Sequence, residues 1–532
     1  MVKNLEKAEM LHYCDRKYLL LASLMLIALP YFGQSPSHLD KKQFFEADKA
    51  FEESDYLAAM TIYEKLYLQD STNSEVNYKL GVCKFELKNY RNKSKRNFDK
   101  VVRKDYPETN YYLGLLNHSL GKFDIARECF TQYQNYKGEK EHTNKEINDL
   151  AIKCYNAEYL ESTSNNFIEI ENLGSKINTE YPEYAPLIPA DEKFMLFTSR
   201  RKNNVWPQKD INGEYYEDIY MSEKKNNAWQ TPVMLDTVIN TAVHDACTGL
   251  SANGEKMLMY RTSKDLKSGD IYSSDFVNGK WSKPSILSTT VNSQDYLESS
   301  ACYSADGNII FFSSNRPGGY GGMDLYMARK LDNGKWGEPY NLGPNINTEY
   351  NEDAPFIDPE GSTLYFSSQG HKNMGGYDVF KSTFNEAGVF TEPENLGCPI
   401  NTVNDDIFFV INTDGSVGYL SSEREGGFGS QDIYSVYFGD NLKQLQAFDI
   451  HVHDDADALI NKVEITLLDT RTKKETGYYK SNWDTGKILI ISNPRQKYNV
   501  MIEAKGYKTR IIEDYSFNAG NDLIFKLSTA NQ

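Results

Sequence analysis

The chain has 532 residues, with 58 Lys and Arg against 75 Asp and Glu and a formal net charge of −17. That length exceeds what one hydrophobic core serves and predicts several domains. The negative balance speaks against nucleic acid as a partner, because phosphate recognition needs basic surface. The charge is uneven: residues 161–445 hold 22 basic and 40 acidic side chains, whereas 41–160 hold 20 and 19.

The first element is an apolar run, YLLLASLMLIALPYFG (18–33), preceded by Arg16 and Lys17. It is shorter than the roughly 20 residues of a membrane span, and Pro30 and Gly33 suit the end of a signal-peptide core. Residues 1–33 are therefore expected to be a cleaved secretory signal, with an uncleaved anchor as the alternative. Downstream stand Cys83, Cys129, Cys154, Cys247, Cys302 and Cys398, scattered and without a CxxC pair. No disulfide framework is expected, although Cys247 and Cys302 occupy neighbouring repeats and a bridge there is one reading.

Residues 41–160 show helical repeats. Leu80-Gly81 recurs as Leu113-Gly114, and Tyr56, Tyr90 and Phe123 each follow a short polar turn. Small residues where helices approach, with Phe98 and Phe130 filling the space, give the tetratricopeptide pattern of about three repeats and a capping helix. The alternative is an unrelated helical bundle. A basic cluster lies here: Lys88, Arg91, Lys93, Lys95, Arg96, Lys100, Arg103 and Lys104. It reads either as a solvated helix face or as a face that docks an acidic surface, the chain's own acidic body included.

Five cassettes of about 54 residues follow, closing on Asp218-Ile219-Tyr220, Asp270-Ile271-Tyr272, Asp324-Leu325-Tyr326, Asp378-Val379-Phe380 and Asp432-Ile433-Tyr434. A fixed period built of short alternating strands and turn residues predicts a β-propeller over 165–445. The segment NNFIEIENLG (165–174) has no preceding cassette and reads as the outer strand of the last blade, closing the ring. Five blades result, or six if 437–450 adds an irregular one. Asn253-Gly254, Asp306-Gly307 and Asp414-Gly415 suit tight hairpins, whereas Asp191-Glu192 predicts a looser turn. The Asp of each closing triplet is expected to cap backbone. Residues 446–532 alternate as short strands (447–454, 462–470, 487–493, 498–507) and predict a small β-sandwich. The fold class is thus multidomain, α followed by all-β.

The cassette INTEYNEDAPFIDPEGSTLYFSSQ…GGYDVF resembles the PD40 repeat, a WD40-like unit related to the TolB propeller. The order of tetratricopeptide repeats, propeller and a sandwich similar to carboxypeptidase-regulatory-like modules resembles Bacteroidetes periplasmic proteins of the OmpA family. It resembles in particular the PorE-type component of the type IX secretion system. The resemblance implies an envelope scaffold in the periplasm, associated with the outer membrane through protein partners such as secretion or motility subunits. Those relatives usually carry an OmpA-like domain, which the sequence to Gln532 does not include, so direct peptidoglycan binding is not expected.

One set of side chains stands out as a candidate site. Glu183, Asp245, Glu298, Glu352 and Asp405 follow the IN-T/S motif of each cassette, just before the innermost strand. Quasi-symmetry predicts a ring near one rim of the channel, open to cations or a basic peptide. Alternatively each acid pairs with backbone or with an arginine such as Arg200, Arg261, Arg316 or Arg424. Arg91, Lys93, Lys95, Arg96, Lys100 and Arg103 are the candidate partner face of the helices. His451 and His453, beside Asp454, Asp455 and Asp457, are a weak metal pattern, and no metal or cofactor is expected. With no GxSxG or HExxH, the chain is expected not to be an enzyme. A propeller that binds a carbohydrate, peptide or cation is the alternative to the scaffold.

Overall fold

The computed structural model describes residues 39–530 apart from 166, 267, 294, 385–388, 440–445, 471–472, 494–495 and 518–522. The expected signal segment lies outside the described residues. No described helix is long and apolar enough to cross a membrane.

Seven described α-helices open the chain: α1 (Lys41–Glu52), α2 (Tyr56–Gln69), α3 (Ser74–Glu86), α4 (Arg91–Phe98), α5 (Glu108–Ser119), α6 (Phe123–Asn135) and α7 (Asn144–Ser162). Local chemistry sets their starts. Asp40, Asp55 and Asn73 accept from the first free backbone N–H groups of α1, α2 and α3, and Thr143 with Glu146 forms a capping box on α7. The helices pair as antiparallel hairpins. A Cβ at Gly81 would stand 2.6 Å from the Phe98 ring and one at Gly114 2.3 Å from Phe130, so glycine is what lets α3 meet α4 and α5 meet α6.

Five antiparallel sheets follow. Their innermost strands are Glu183–Leu187, Asp245–Leu250, Glu298–Tyr303, Glu352–Ile357 and Asp406–Ile411. Each touches the next, and the fifth touches the first, so the sheets surround one axis as a propeller. Ile168–Asn172 pairs antiparallel with Asp432–Phe438 as the outer strand of the last sheet, as expected from the sequence. Gln446–Asp454 pairs with Ile488–Ser492 and belongs to the C-terminal sandwich, so it adds no further sheet to the ring.

Repetition has a hydrogen-bond explanation. The Asn of each IN motif (Asn178, Asn240, Asn292, Asn347, Asn401) receives the N–H of the aliphatic triplet residue in the sheet before it. The same amide donates back to that residue's carbonyl. Asn178 does this across the closure, holding Ile433. The triplet Asp caps the glycine-rich loop before it: Asp324 accepts from Tyr320 and Gly321, and Asp432 from Phe428 and Gly429. The turn at Glu192 differs from expectation. Glu192 takes φ +49°, the left-handed position that Gly254, Gly307, Gly361 and Gly415 take in the other hairpins. The turn keeps its form because Lys224 and the Tyr419 hydroxyl hold the Glu192 carboxylate at 3.0 and 3.2 Å.

The C-terminal sandwich packs a three-stranded sheet, which includes Leu523–Leu527, on a four-stranded one around Ile450, Val452, Ile465, Val500, Ile502 and Phe517. Glu475–Lys480, Arg510–Tyr515 and Leu523–Leu527 are strands beyond those expected. The sandwich docks on the inner-hairpin end of the propeller, where Asn308 donates to the Ser481 carbonyl at 3.0 Å and Lys330 meets Asp484. The helices dock on the opposite end.

Candidate functional site between the helices and the propeller

The helical array is joined to the propeller by a plug. Met374, on the loop joining the second and third strands of the fourth sheet, is 1% exposed and packs with Phe123, Ala126, Cys154 and Ala157. His118 of α5 holds the loop: its Nε2–H donates to the Met374 carbonyl at 2.8 Å, leaving Nδ1 to accept from the Cys154 thiol at 3.2 Å. Burial lowers the His118 pKa to about 4. From α7, Lys153 donates to the carbonyls of Gln369 and Gly375, and Asn156 to that of Asn373. Asp378, directly below the plug, accepts from the Met374 N–H, and burial pushes its pKa up to about 8.

Beside this joint the two domains separate and leave an open cleft of about 500 Å³, lined by Lys88, Arg91 and Asn92 from the helices and Glu423, Glu425 and Phe428 from the fifth sheet. Lys88 forms an ion pair with Glu423 across it. A domain interface with charged groups from both walls is where ligand sites commonly form. The far end of the channel is different. There the five inner strands converge on an apolar cavity of only about 40 Å³, lined by Leu187, Leu250, Cys302, Phe356 and Phe408 among others. That space admits about one water.

An ionic network stands where the first sheet meets the second. Glu217 accepts from Arg200 at 3.1 Å and from the Tyr184 hydroxyl, and its other oxygen stands 3.1 Å from His244 Nδ1. Burial opposes ionisation of Glu217, but Arg200 and His244 overcome it and lower its pKa to about 2. Asp353, on the next-to-last inner strand, accepts from Ser299 at 2.9 Å and from Ser300. Sequence reasoning missed these groups, since Glu217, His244 and Asp353 recur in no other cassette.

Of the two readings of the acids, the open ring and the paired acid, the geometry gives the second. Glu183, Asp245, Glu298 and Glu352 are fully buried, and both oxygens of each are already engaged. Glu183 accepts from Thr179 N–H and hydroxyl, Ser199 and Arg201; Asp245 from Thr241 and Arg261; Glu298 from Ser293, Ser314 and Arg316. Arg201, not Arg200, is the partner in the first sheet. In the fifth sheet the position belongs to Asp406, which accepts from Thr402 and Arg424, while Asp405 accepts from the Tyr377 N–H at 2.9 Å. The spacing of four from Thr to acid, shared by Thr179–Glu183, Thr241–Asp245 and Thr348–Glu352, identifies Asp406. Glu352 alone lacks an arginine, because Gly370 stands where Arg316 and Arg424 stand. Burial then pushes its pKa up to about 7, with only Thr348 and Ser368 as donors.

The candidate partner face divides. Arg91 lines the cleft and donates to the Phe85 carbonyl at 3.1 Å; Lys95 pairs with Asp99 at 2.8 Å; Lys100 donates to the Tyr67 hydroxyl at 2.6 Å. Lys93, Arg96 and Arg103 are exposed. Cys247 and Cys302 are free, as are the other described cysteines. His453 stands 3.6 Å from Asp457. Among the described residues, the one group with metal-ligand spacing lies elsewhere, at Glu108, Glu141 and His142.

No protein-family model and no curated protein matches the chain. Solved structures do. Hydrazine synthase from Kuenenia stuttgartiensis is similar over 47% of this chain at 11% identity and a TM-score of 0.26, and this chain spans 58% of its length. An endo-arabinase from Bacteroides thetaiotaomicron is similar over 50% of this chain and 96% of its own, at 14% identity and TM-score 0.32. The β-propeller domain of the Trilobed protease from Pyrococcus furiosus is similar over 63% and 84%, at 11% identity and TM-score 0.22. The expectation that the chain is not an enzyme is corrected here, because the structures it resembles are mostly enzymes, an arabinofuranosidase, a β-xylosidase and a gluconolactonase among them. At such identities and TM-scores the activities remain those proteins' own. The propeller is drawn from this chain's own sheets.

Proposed function

We propose that the protein is an envelope scaffold of the periplasm, associated with the outer membrane through partners, that binds protein segments between its helices and its propeller. In this reading the helical hairpins are tetratricopeptide repeats and the five sheets are five blades. The observation that carries it is the open cleft beside the Met374 plug, with Lys88 and Arg91 on one wall and Glu423 and Glu425 on the other. A plugged joint fixes both walls, so an extended segment meets a preformed groove and loses less entropy on ordering. Lys93, Arg96 and Arg103, on α4 and the loop after it, are exposed and would steer an acidic partner. Membership of a type IX secretion or gliding machine is the version of this reading that the repeat resemblance favours. A small-ligand role would use the same cleft, since the apolar end of the channel has no room.

Charge reversal tests the proposal. A tagged chain carrying Lys93→Glu, Arg96→Glu and Arg103→Glu should fold normally yet lose the envelope proteins that the parent chain retains after crosslinking. Equal recovery of the same proteins by both would refute it.

A further inference from the structure

Glu108 opens α5 with a side chain only 9% exposed. Its Oε1 accepts from the Tyr133 hydroxyl at 2.6 Å and from the Glu141 N–H at 3.0 Å. Its Oε2 is out of solvent and has no hydrogen-bond partner. A buried carboxylate oxygen left unpaired is costly, and native structures rarely keep one without a reason. His142 Nε2 stands 3.9 Å from that oxygen. The residue is held in place: its imidazole stacks on Tyr111 with ring centroids 3.8 Å apart, and its backbone N–H donates to the Tyr133 hydroxyl at 3.0 Å. Glu141 brings a second carboxylate, and the donor atoms of all three residues lie within 4.8 Å of one another. Of the two lysines in the same loop, Lys140 points elsewhere and gives its ammonium to the Gln134 carbonyl at 3.0 Å and to Asn144 at 3.1 Å.

We propose that Glu108 Oε2, a Glu141 oxygen and His142 Nε2 form a site for a divalent transition-metal cation of the zinc type. One imidazole with two carboxylates is a donor set such ions favour. Zinc ligands at about 2.0–2.1 Å stand about 3.4 Å apart in a tetrahedron, so the Glu141 and His142 side chains close inward by about 1 Å on binding. The ion clamps the loop of residues 136–143 to the start of α5 and satisfies the orphaned oxygen. Its fourth position is open to water or to a donor from a partner.

The test uses the full chain, stripped with chelator and titrated with Zn²⁺ by calorimetry and with Co²⁺ by visible absorption. One equivalent should bind, with the d–d bands of nitrogen and oxygen ligands and a raised Tm. His142→Ala and Glu141→Gln should each weaken binding at least tenfold while leaving the far-ultraviolet circular dichroism of the metal-free chain unchanged. Both positions are partly or fully exposed, so these variants decide the matter even where Glu108→Gln fails to fold. Absence of one-equivalent binding would overturn the proposal. So would binding that both variants retain at parental affinity, which would put the ion elsewhere, as at His451 and His453.

Discussion

Acid should loosen the joint between helices and propeller through His118. Its ring is buried, donates to the Met374 carbonyl and accepts from Cys154, so it is held neutral with a pKa of about 4. Lys153, packed beside it, adds repulsion against a second proton. In the unfolded chain His118 titrates near about 6.5. Between those values the unfolded state binds the proton and the native state does not, so stability falls as pH drops from about 6.5 to about 4 and is complete above it. The gap of roughly 2.5 pKa units corresponds to about 3 kcal/mol at its limit. His118→Gln keeps an amide donor for the Met374 carbonyl and removes the titration. Other groups act in the same range: Asp378 and Glu352, with raised values, favour the native state as pH falls. The informative quantity is therefore the difference between variant and parent in urea unfolding at pH 7.5, 6 and 4.5. The parent should lose about 2 kcal/mol relative to His118→Gln over that range. Parallel pH profiles would refute the assignment of a buried neutral imidazole.

Four further outcomes follow from the packing. Met374→Ala removes a side chain 1% exposed from the helical core and should cost about 2–4 kcal/mol, with limited proteolysis then releasing the helices first. Gly114→Ala places a methyl 2.3 Å from Phe130 and should destabilise by about 1–3 kcal/mol in thermal melts. Asn178→Ala breaks both bonds to Ile433 at the ring closure and should cost about 2–4 kcal/mol by urea unfolding. Glu352 and Glu298 should behave differently. Glu352, with a pKa of about 7, contributes stability that is complete below its unfolded value of about 4.3 and fades as pH rises through 7, so Glu352→Gln should cost little at neutral pH. Glu298→Gln removes the carboxylate that neutralises the largely buried Arg316 guanidinium and should cost about 3 kcal/mol in the same measurement.

Much of the fold was legible because it repeats. The five triplets, the IN motifs and the lone strand at 168–172 each do one hydrogen-bonding job, and repetition exposes jobs of that kind. Repetition alone left the acids open to two readings, and the structure gives the paired one. Glu183 and its counterparts recur because each ties its own loop to its own sheet, which leaves no oxygen for a ligand. Asp405 and Asp406 are adjacent acids that look alike until the Thr402 spacing is imposed. Glu192 shows the converse, a non-glycine residue held at positive φ by partners 32 and 227 residues away. The joint at Met374 and the cleft beside it could not be read at all. They depend on which loop of which sheet meets the helices, and a plug residue between glycine-rich turns carries no periodic signal.

A photo-crosslinking residue placed at Asn92 in the cleft, with one at the exposed Tyr478 of the sandwich as control, tests the central claim most directly. In native envelopes the Asn92 probe should give a discrete protein adduct that Arg91→Glu with Arg96→Glu abolishes, and the Tyr478 probe should not give that adduct. The same adduct from both sites, or none from Asn92 in folded protein, would contradict partner binding between helices and propeller.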